Sequence, residues 1–297
     1  MSRTFAQQKK VTGRYLLTPT ILVLIFIIFV PLLFSFVISF FHYTFIDPGF
    51  HTVVWFGNFI DAFQDKYFWN TLRVTLTFGA LVVPLEFVIG FLISLLLSRE
   101  IRFKGVYYTI LTIPMVMSPV AVGLIWKLLL HPDLGVVNYF LSRLGVPFIN
   151  WFASSDMALW TIVFVDIWHQ VSFMILILLA GLSSLPKDAY EAAIIDGASS
   201  WQALLYITFP LMKPVITIAI LIRTIFAFKT YDLIYIMTRG GPGVSTEIIS
   251  YYIYKKTFMG MDLSQASAIS YVLLVIVMLL VVLLYTFIVR EKEEQRV

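Results

Sequence analysis

Five ionisable side chains, Glu86, Asp166, Arg223, Lys229 and Asp232, lie inside long apolar runs of the chain. Such a group at membrane depth is costly, and it normally faces a bundle interior or a wet cavity. Asp166 is followed by His169, Gln170 and Phe173 at i+3, i+4 and i+7, a spacing that places all four on one face of a helix. A carboxylate, an imidazole, an amide and an aromatic ring in a row can form a hydrogen-bonding and stacking wall along the path of a polar solute. The same four residues can equally serve as glue between helices, or Asp166 can lie near the external interface. Lys229 and Asp232, at i and i+3, read first as an intrahelical ion pair, with Tyr231 beside them able to line the path. Glu86 follows Pro84 midway along its run, and a pairing with Arg223 across helices is left open by spacing alone.

Other reactive chemistry is sparse. The chain has no cysteine, which removes disulfides, thiolate metal sites and cysteine nucleophiles. Its histidines, His42, His51, His131 and His169, are scattered and none has a partner at ligand spacing, so no metal site is expected. No Ser-His-Asp arrangement recurs at reactive spacing, and no catalytic residue is assigned. There is no G-x-x-x-x-G-K-[ST] string to cradle a nucleotide. The chain is therefore not expected to be an enzyme or to carry a cofactor of its own.

The elements that position these residues follow from composition. Of 297 residues, 60% are hydrophobic and only 13% charged, against about 45–50% and about 25% in soluble domains. A water-facing surface cannot be covered with so few polar side chains, so the lipid membrane is the expected solvent. A bilayer core about 30 Å thick needs roughly 20 apolar residues per helical crossing. Six runs satisfy this, at about 16–41, 74–97, 106–130, 158–182, 215–237 and 268–289, and together they read as a single all-α transmembrane domain over 1–297.

With six spans both termini share one side with the loops 98–105 and 183–214. That side carries twelve Lys and Arg against at most seven on the other, counting Arg73 and Lys127 near span ends. The excess predicts cytoplasmic termini. It also accounts for the net charge of +4 as a topology signal, with no nucleic-acid partner.

The loop 183–214 is more than a linker. Pro186 stands where a first helical turn tolerates it, and Asp188 and Glu191 near that end favour the helix dipole. Ala189, Ala192 and Ala193 make a smooth face that another surface could approach closely. Gly197 then breaks the helix, and Ser199 with Gln202 has the spacing of a capping box that opens a second helix running towards Pro210. The product is a helix–Gly–helix hairpin suited to a partner's groove.

Glu191-Ala192-Ala193, Gly197 beyond it and Ile207-Thr208-Phe209-Pro210 further on resemble the EAA signature of membrane subunits of binding-protein-dependent ABC importers. The family pattern ends in Ile-x-Leu-Pro, and Phe209 is a conservative departure. The text from Leu182 to Tyr190, together with Asp196 and the Gly240-Gly241-Pro242-Gly243 turn, is similar to the carbohydrate-uptake branch related to the maltose permease. The resemblance implies a type I ABC importer permease fold, with the hairpin as a cytoplasmic coupling loop in which Glu191, Ala192, Ala193, Asp196, Gly197 and Pro210 meet the ATPase.

It further implies a sister permease, a cytosolic ATPase dimer holding ATP and Mg, an extracytoplasmic solute-binding protein, a carbohydrate substrate and a prokaryotic inner membrane. For sugars the wall of Asp166, His169, Gln170 and Phe173 has a use, since dense hydroxyl recognition and stacking are what they require. The external loop 238–267 could help receive the binding protein or could be passive. The rival expectation is an ion-coupled secondary transporter of a small polar solute, which would use Asp166, Glu86 or Lys229 as ion sites but has no use for the hairpin.

Overall fold

The computed structural model describes residues 17–290. Leu16 and the basic residues Arg3, Lys9, Lys10, Arg14, Lys292 and Arg296, used above for span limits and orientation, lie outside the described residues. Among the described residues there is no strand, only two isolated bridges, Phe41 with Val53 and Thr44 with Asp262. Five helices are long and apolar enough to cross a membrane, and a sixth crossing is available if one sharply bent pair counts as a span.

Two compact units emerge from the packing. The first takes in α1 (Leu17–Ile38), α2 (Gly57–Gln64) and the chain from Ile253 to Leu273. Pro31 lacks the N–H that would continue the helix and crowds the carbonyl four residues back. The chain answers with a π-helical turn at Ile25–Phe29. Inside this unit Asn58 donates from Nδ2 to the carbonyls of Ser39 (2.8 Å) and Phe41 (2.9 Å), which fixes the segment just after α1. Phe34, Phe41 and Tyr43 all pack against Phe50.

The second unit, from Lys66 to Tyr252 and from Leu274 onward, holds the intramembrane charges. Its helices are α3 (Lys66–Ser98), α4 (Lys104–Val116), α5 (Pro119–Leu129), α6 (Val136–Arg143), α7 (Ser155–Ser183), α8 (Lys187–Ile195), α9 (Ser200–Ala203), α10 (Phe209–Lys229) and α11 (Asp232–Met237). α12 (Ile249–Tyr254) and α13 (Leu263–Arg290) complete the chain. α7 is the central helix, with 56% of its apolar stretch buried. Its first turn is set by Ser154, whose Oγ accepts from Met157 N at 3.2 Å, with Asp156 favouring the positive end of the dipole.

α3 packs along α7 through Gly90, where a Cβ would stand 2.7 Å from Met174 Cβ. In hydrocarbon, small residues at such points let backbones approach and gain dispersion contacts. Phe91, Met174, Leu178, Met212, Ile216 and Ala219 form one core cluster of α3, α7 and α10. Val122, Leu130, Val165, Leu233 and Met237 form a second, between α5, α7 and α11.

Two expected spans are not straight. The run 106–130 is two helices, α4 and α5, meeting at 99°. Pro119 disfavours helical geometry at the residue before it, and Ser118 is extended, with ψ 136°. The run 215–237 is interrupted at Thr230, whose ψ of 123° ends α10 before α11 begins, although Ser200–Met237 still counts as one candidate span. Neither Pro nor Gly stands at this second break. Lys229 and Asp232 consequently do not share a continuous helical face, and among the described residues no ion pair joins them. The expected i, i+3 pair is corrected on that ground.

Candidate functional site

A membrane-depth cleft. Arg223 on α10 is the hub of the buried charges. Its guanidinium grips Glu86 of α3 side-on, through Nε and, at 2.9 Å, through Nη2, and the same Nη2 also donates to Asp166 of α7. All three side chains are essentially unexposed. A guanidinium fork matches carboxylate oxygens in geometry as well as charge, so one cation holds three helices together. Spacing raised the Glu86–Arg223 pairing only as an open possibility and did not connect Asp166 to it. The signal available was the charge inventory: two acids and a base buried in hydrocarbon must find one another.

One turn beyond Asp166, His169 is buried as well. Its Nε2 lies 3.2 Å from the carbonyl of Met117, which sits at the corner between α4 and α5. A carbonyl only accepts, so Nε2 carries the proton and Nδ1 is left as an acceptor, which the Gln170 amide fills at 3.0 Å. Ser172 donates to the carbonyl of Leu111, a further tie from α7 to α4.

Above these contacts opens a cleft of about 240 Å³ whose lining includes Asp166, His169, Gln170, Lys229, Tyr231 and Asp232. Six of the seven residues read from the sequence as a solute path thus share one cavity, lined from α7 and from the junction of α10 with α11 at Thr230. Phe173 is the exception. It meets Phe226 edge-to-face at 6.0 Å, and Phe226 is the ring on the cleft wall. Pro119, Phe226 and Thr230, also lining it, were not picked out in the sequence. The Ser118-Pro119 pair was the available signal for the first of them.

The polar atoms divide into two kinds. Asp166 and His169 are engaged by Arg223 and by the Met117 carbonyl. Lys229 is exposed and Tyr231 and Asp232 are half-buried at the cleft. Tyr231 stacks on Tyr235 at 5.5 Å and 19°. The cleft can therefore offer a cation, an anion, an amide and aromatic rings to a polar solute.

The hairpin between α7 and α10. α8 ends in a Schellman motif: Ala198 N donates to Ala193 O at 2.9 Å and Gly197 N to Ile194 O at 3.1 Å. This geometry needs a left-handed residue after the C-cap, and Gly197 has φ +75°. The next helix opens with the anticipated capping box, Gln202 N to Ser199 Oγ at 3.3 Å and Ser199 N to Gln202 Oε1 at 2.8 Å. It widens to a π-helical turn at Leu204–Thr208 just before Pro210, as α1 does before Pro31. Tyr190 and Thr208 hydroxyls meet at 2.9 Å and brace the two arms. Glu191, Ala192, Asp196, Gly197 and Pro210 are exposed and Ala193 is partly so. Beside them stand Ile194, Ile195, Trp201 and Tyr206, with Ile195 86% exposed.

Comparison with known proteins gives this arrangement its context. The chain is 36% identical over 267 residues, 90% of each chain, to the trehalose/maltose transport system permease protein MalF of Thermococcus litoralis. It is 37% identical over 238 residues, 80% of this chain and 77% of the other, to the sulfoquinovosyl glycerol transport system permease protein SmoG of Agrobacterium fabrum. Its fold matches a chain of a bacterial alginate ABC transporter solved with an alginate pentasaccharide-bound periplasmic protein. The TM-score is 0.82 at 23% identity, over 95% of this chain and 96% of that one. The sequence profile of the binding-protein-dependent transport system inner membrane component matches residues 86–293. The match begins at Glu86 and takes in Arg223, the cleft and the hairpin, and it sets aside the ion-coupled carrier: the chain belongs to the family of inner membrane components of binding-protein-dependent transport systems.

Proposed function

We propose that this chain is the path-forming membrane subunit of an ATP-driven carbohydrate importer, paired with a sister permease and moved by a separate ATPase through the hairpin 183–214. Counting the bent pair α4–α5 as one crossing gives six spans, and the Lys and Arg excess then sets both termini and the hairpin in the cytoplasm of a prokaryotic cell. The observation that carries the reading is the apolar tip of the hairpin. Ile194, Ile195, Trp201 and Tyr206 are 74%, 86%, 66% and 76% exposed on a loop between spans. Large apolar groups held outward on a rigid corner mark a protein contact, and the Schellman motif and capping box supply the rigidity.

ATP and Mg belong to the partner, a cytosolic ATPase dimer. Its closure would pull the hairpin and bias the spans between two states, with Glu191, Ala192, Ala193, Asp196, Gly197 and Pro210 at the contact. Carbohydrate cargo is supported by the names of the two relatives and by the lining of the cleft, where Gln170, Lys229, Tyr231 and Asp232 suit hydroxyl recognition. An extracytoplasmic solute-binding protein would deliver the cargo.

Gly197→Asp tests the handle. A Cβ at Gly197 meets nothing within 4 Å, and aspartate is among the side chains that enter the left-handed region at the least strain, so the substitution adds a charge to the corner at a modest backbone cost. The assembled transporter is expected to hydrolyse ATP without accumulating sugar, or to lose its ATPase on purification. Full ATP-driven uptake by that variant would end the assignment of the hairpin as the coupling element.

A further inference from the structure

The helix α6, in the connection between α5 and α7, presents its apolar side outward. Its inner face is pinned. Asn138 is buried and donates from Nδ2 to Pro132 O (3.1 Å) and Ile149 O (2.8 Å), while its Oδ1 accepts from Trp151 Nε1 (3.1 Å). Val137 packs against the cluster of Val122, Leu130 and Val165. With the inner face so occupied, Tyr139, Phe140, Leu144 and, in the turn that follows, Phe148 are 56%, 62%, 78% and 59% exposed.

At 3.6 residues per turn the outward face grades across the helix. Phe140 and Leu144, at i and i+4, form its apolar edge, Tyr139 and Arg143 its middle, and Ser142 its polar edge. Arg143 lies over the Tyr139 ring at 5.3 Å and donates to its hydroxyl at 3.1 Å. From Leu134 to Ile149 there is one basic side chain and no acidic one.

We propose that α6 is an interfacial helix lying on the bilayer surface, with Phe140, Leu144 and Phe148 in the acyl boundary and the Arg143 guanidinium among lipid phosphates. Three observations choose lipid over a protein as the occupant. The patch is continuous along the chain with large apolar side chains left exposed on the flanking apolar helices, Leu124 and Leu128 on α5 before it and Trp160 and Phe164 on α7 after it. Arg143 is the one charged side chain on α6 and is complementary to phosphate headgroups, while Asp133, exposed just before the helix, borders the same surface as Ser142 and Tyr139. The gradient from apolar edge through Tyr and Arg to Ser is that of a headgroup boundary, where aromatic rings and snorkelling cations gather. A surface that engages a partner only intermittently would leave four large apolar side chains in water between encounters. The inference is independent of the cargo and of the coupling role of the hairpin, and it gives the α5–α7 connection a function: it fixes the depth of the cleft relative to the membrane surface.

Because this chain has no native cysteine, a single-cysteine variant can be labelled on the isolated subunit and then assembled with its partners, so that the nitroxide sits at one position. The complex carrying F140C, L144C or S142C with a nitroxide is reconstituted in phosphatidylcholine–phosphatidylglycerol vesicles, and collisions with oxygen and with a water-soluble nickel chelate are compared. Oxygen is expected to dominate at positions 140 and 144 and the nickel chelate at 142. Nickel dominance at all three, shielding of 140 and 144 from both reagents, or protection that appears only when the solute-binding protein is added would overturn the proposal. Should a label disturb assembly, Leu144→Trp is read as the added fluorescence quenched by dibrominated phosphatidylcholine relative to the wild-type complex, whose chain carries seven native tryptophans.

Discussion

Arg223 ties three helices together, because its single charge answers two acids in a medium that cannot solvate them. Removing one member of a buried ionic set while the rest remain typically costs about 3–5 kcal/mol, whereas replacing the whole set with apolar groups of similar volume is often neutral or better. Arg223→Met should therefore lower the thermal unfolding temperature of the purified complex sharply, and the triple Glu86→Leu, Asp166→Leu, Arg223→Met should recover most of that loss. A triple variant as unstable as the single one would mean that the cluster does something besides balance charge. The same geometry separates two cleft residues that spacing alone placed on one wall. Asp166→Asn keeps an oxygen for Arg223 and should leave the sugar concentration for half-maximal uptake unchanged. Gln170→Ala, by contrast, removes a cleft-facing amide and should raise that concentration severalfold. A rise with Asp166→Asn instead would return Asp166 to the path.

At the scale of elements, the chain discloses its interruptions only where special residues make them. Pro186, Gly197, Ser199 and Gln202 announce the hairpin, since each has a distinct backbone preference, and the Schellman motif and capping box follow from them. Ser118-Pro119 announces the corner between α4 and α5 in the same way, although a 25-residue apolar run read for hydropathy alone conceals it. The break at Thr230 has no such marker: Lys-Thr-Tyr-Asp is compatible with a helix, and the interruption belongs to tertiary packing around Tyr231. The intrahelical pair of Lys229 with Asp232 failed for that reason. The corner itself depends on α7, because the Met117 carbonyl is met by His169. His169→Phe leaves that acceptor unpaired, a loss of about 1–3 kcal/mol, while His169→Gln can still donate. Differential scanning of both variants in detergent should rank wild type above Gln and Gln above Phe, and equal stability of all three would exclude a bracing role for the imidazole.

Across the whole molecule, membrane residence and the family were legible, since hydropathy and the EAA-type string act over short stretches, while the count of six crossings rests on taking the bent pair α4–α5 as one. Which distant residues converge was not. Glu86, Asp166 and Arg223 lie 57 and 137 positions apart, and Arg223 could as well have sought any acid on any span until helix order was known. That convergence limits how the protein can move. Sliding one of α3, α7 or α10 past another by a single turn, about 5.4 Å, would pull a carboxylate out of reach of its guanidinium and strand it in hydrocarbon. Independent shear of the three is thereby forbidden, and they must travel as one piece. Opening and closing a route to either side would then fall to the tilt of the trio as a body, with α11 carried along by the packing of Leu233 and Met237 against Val122 of α5 and Val165 of α7.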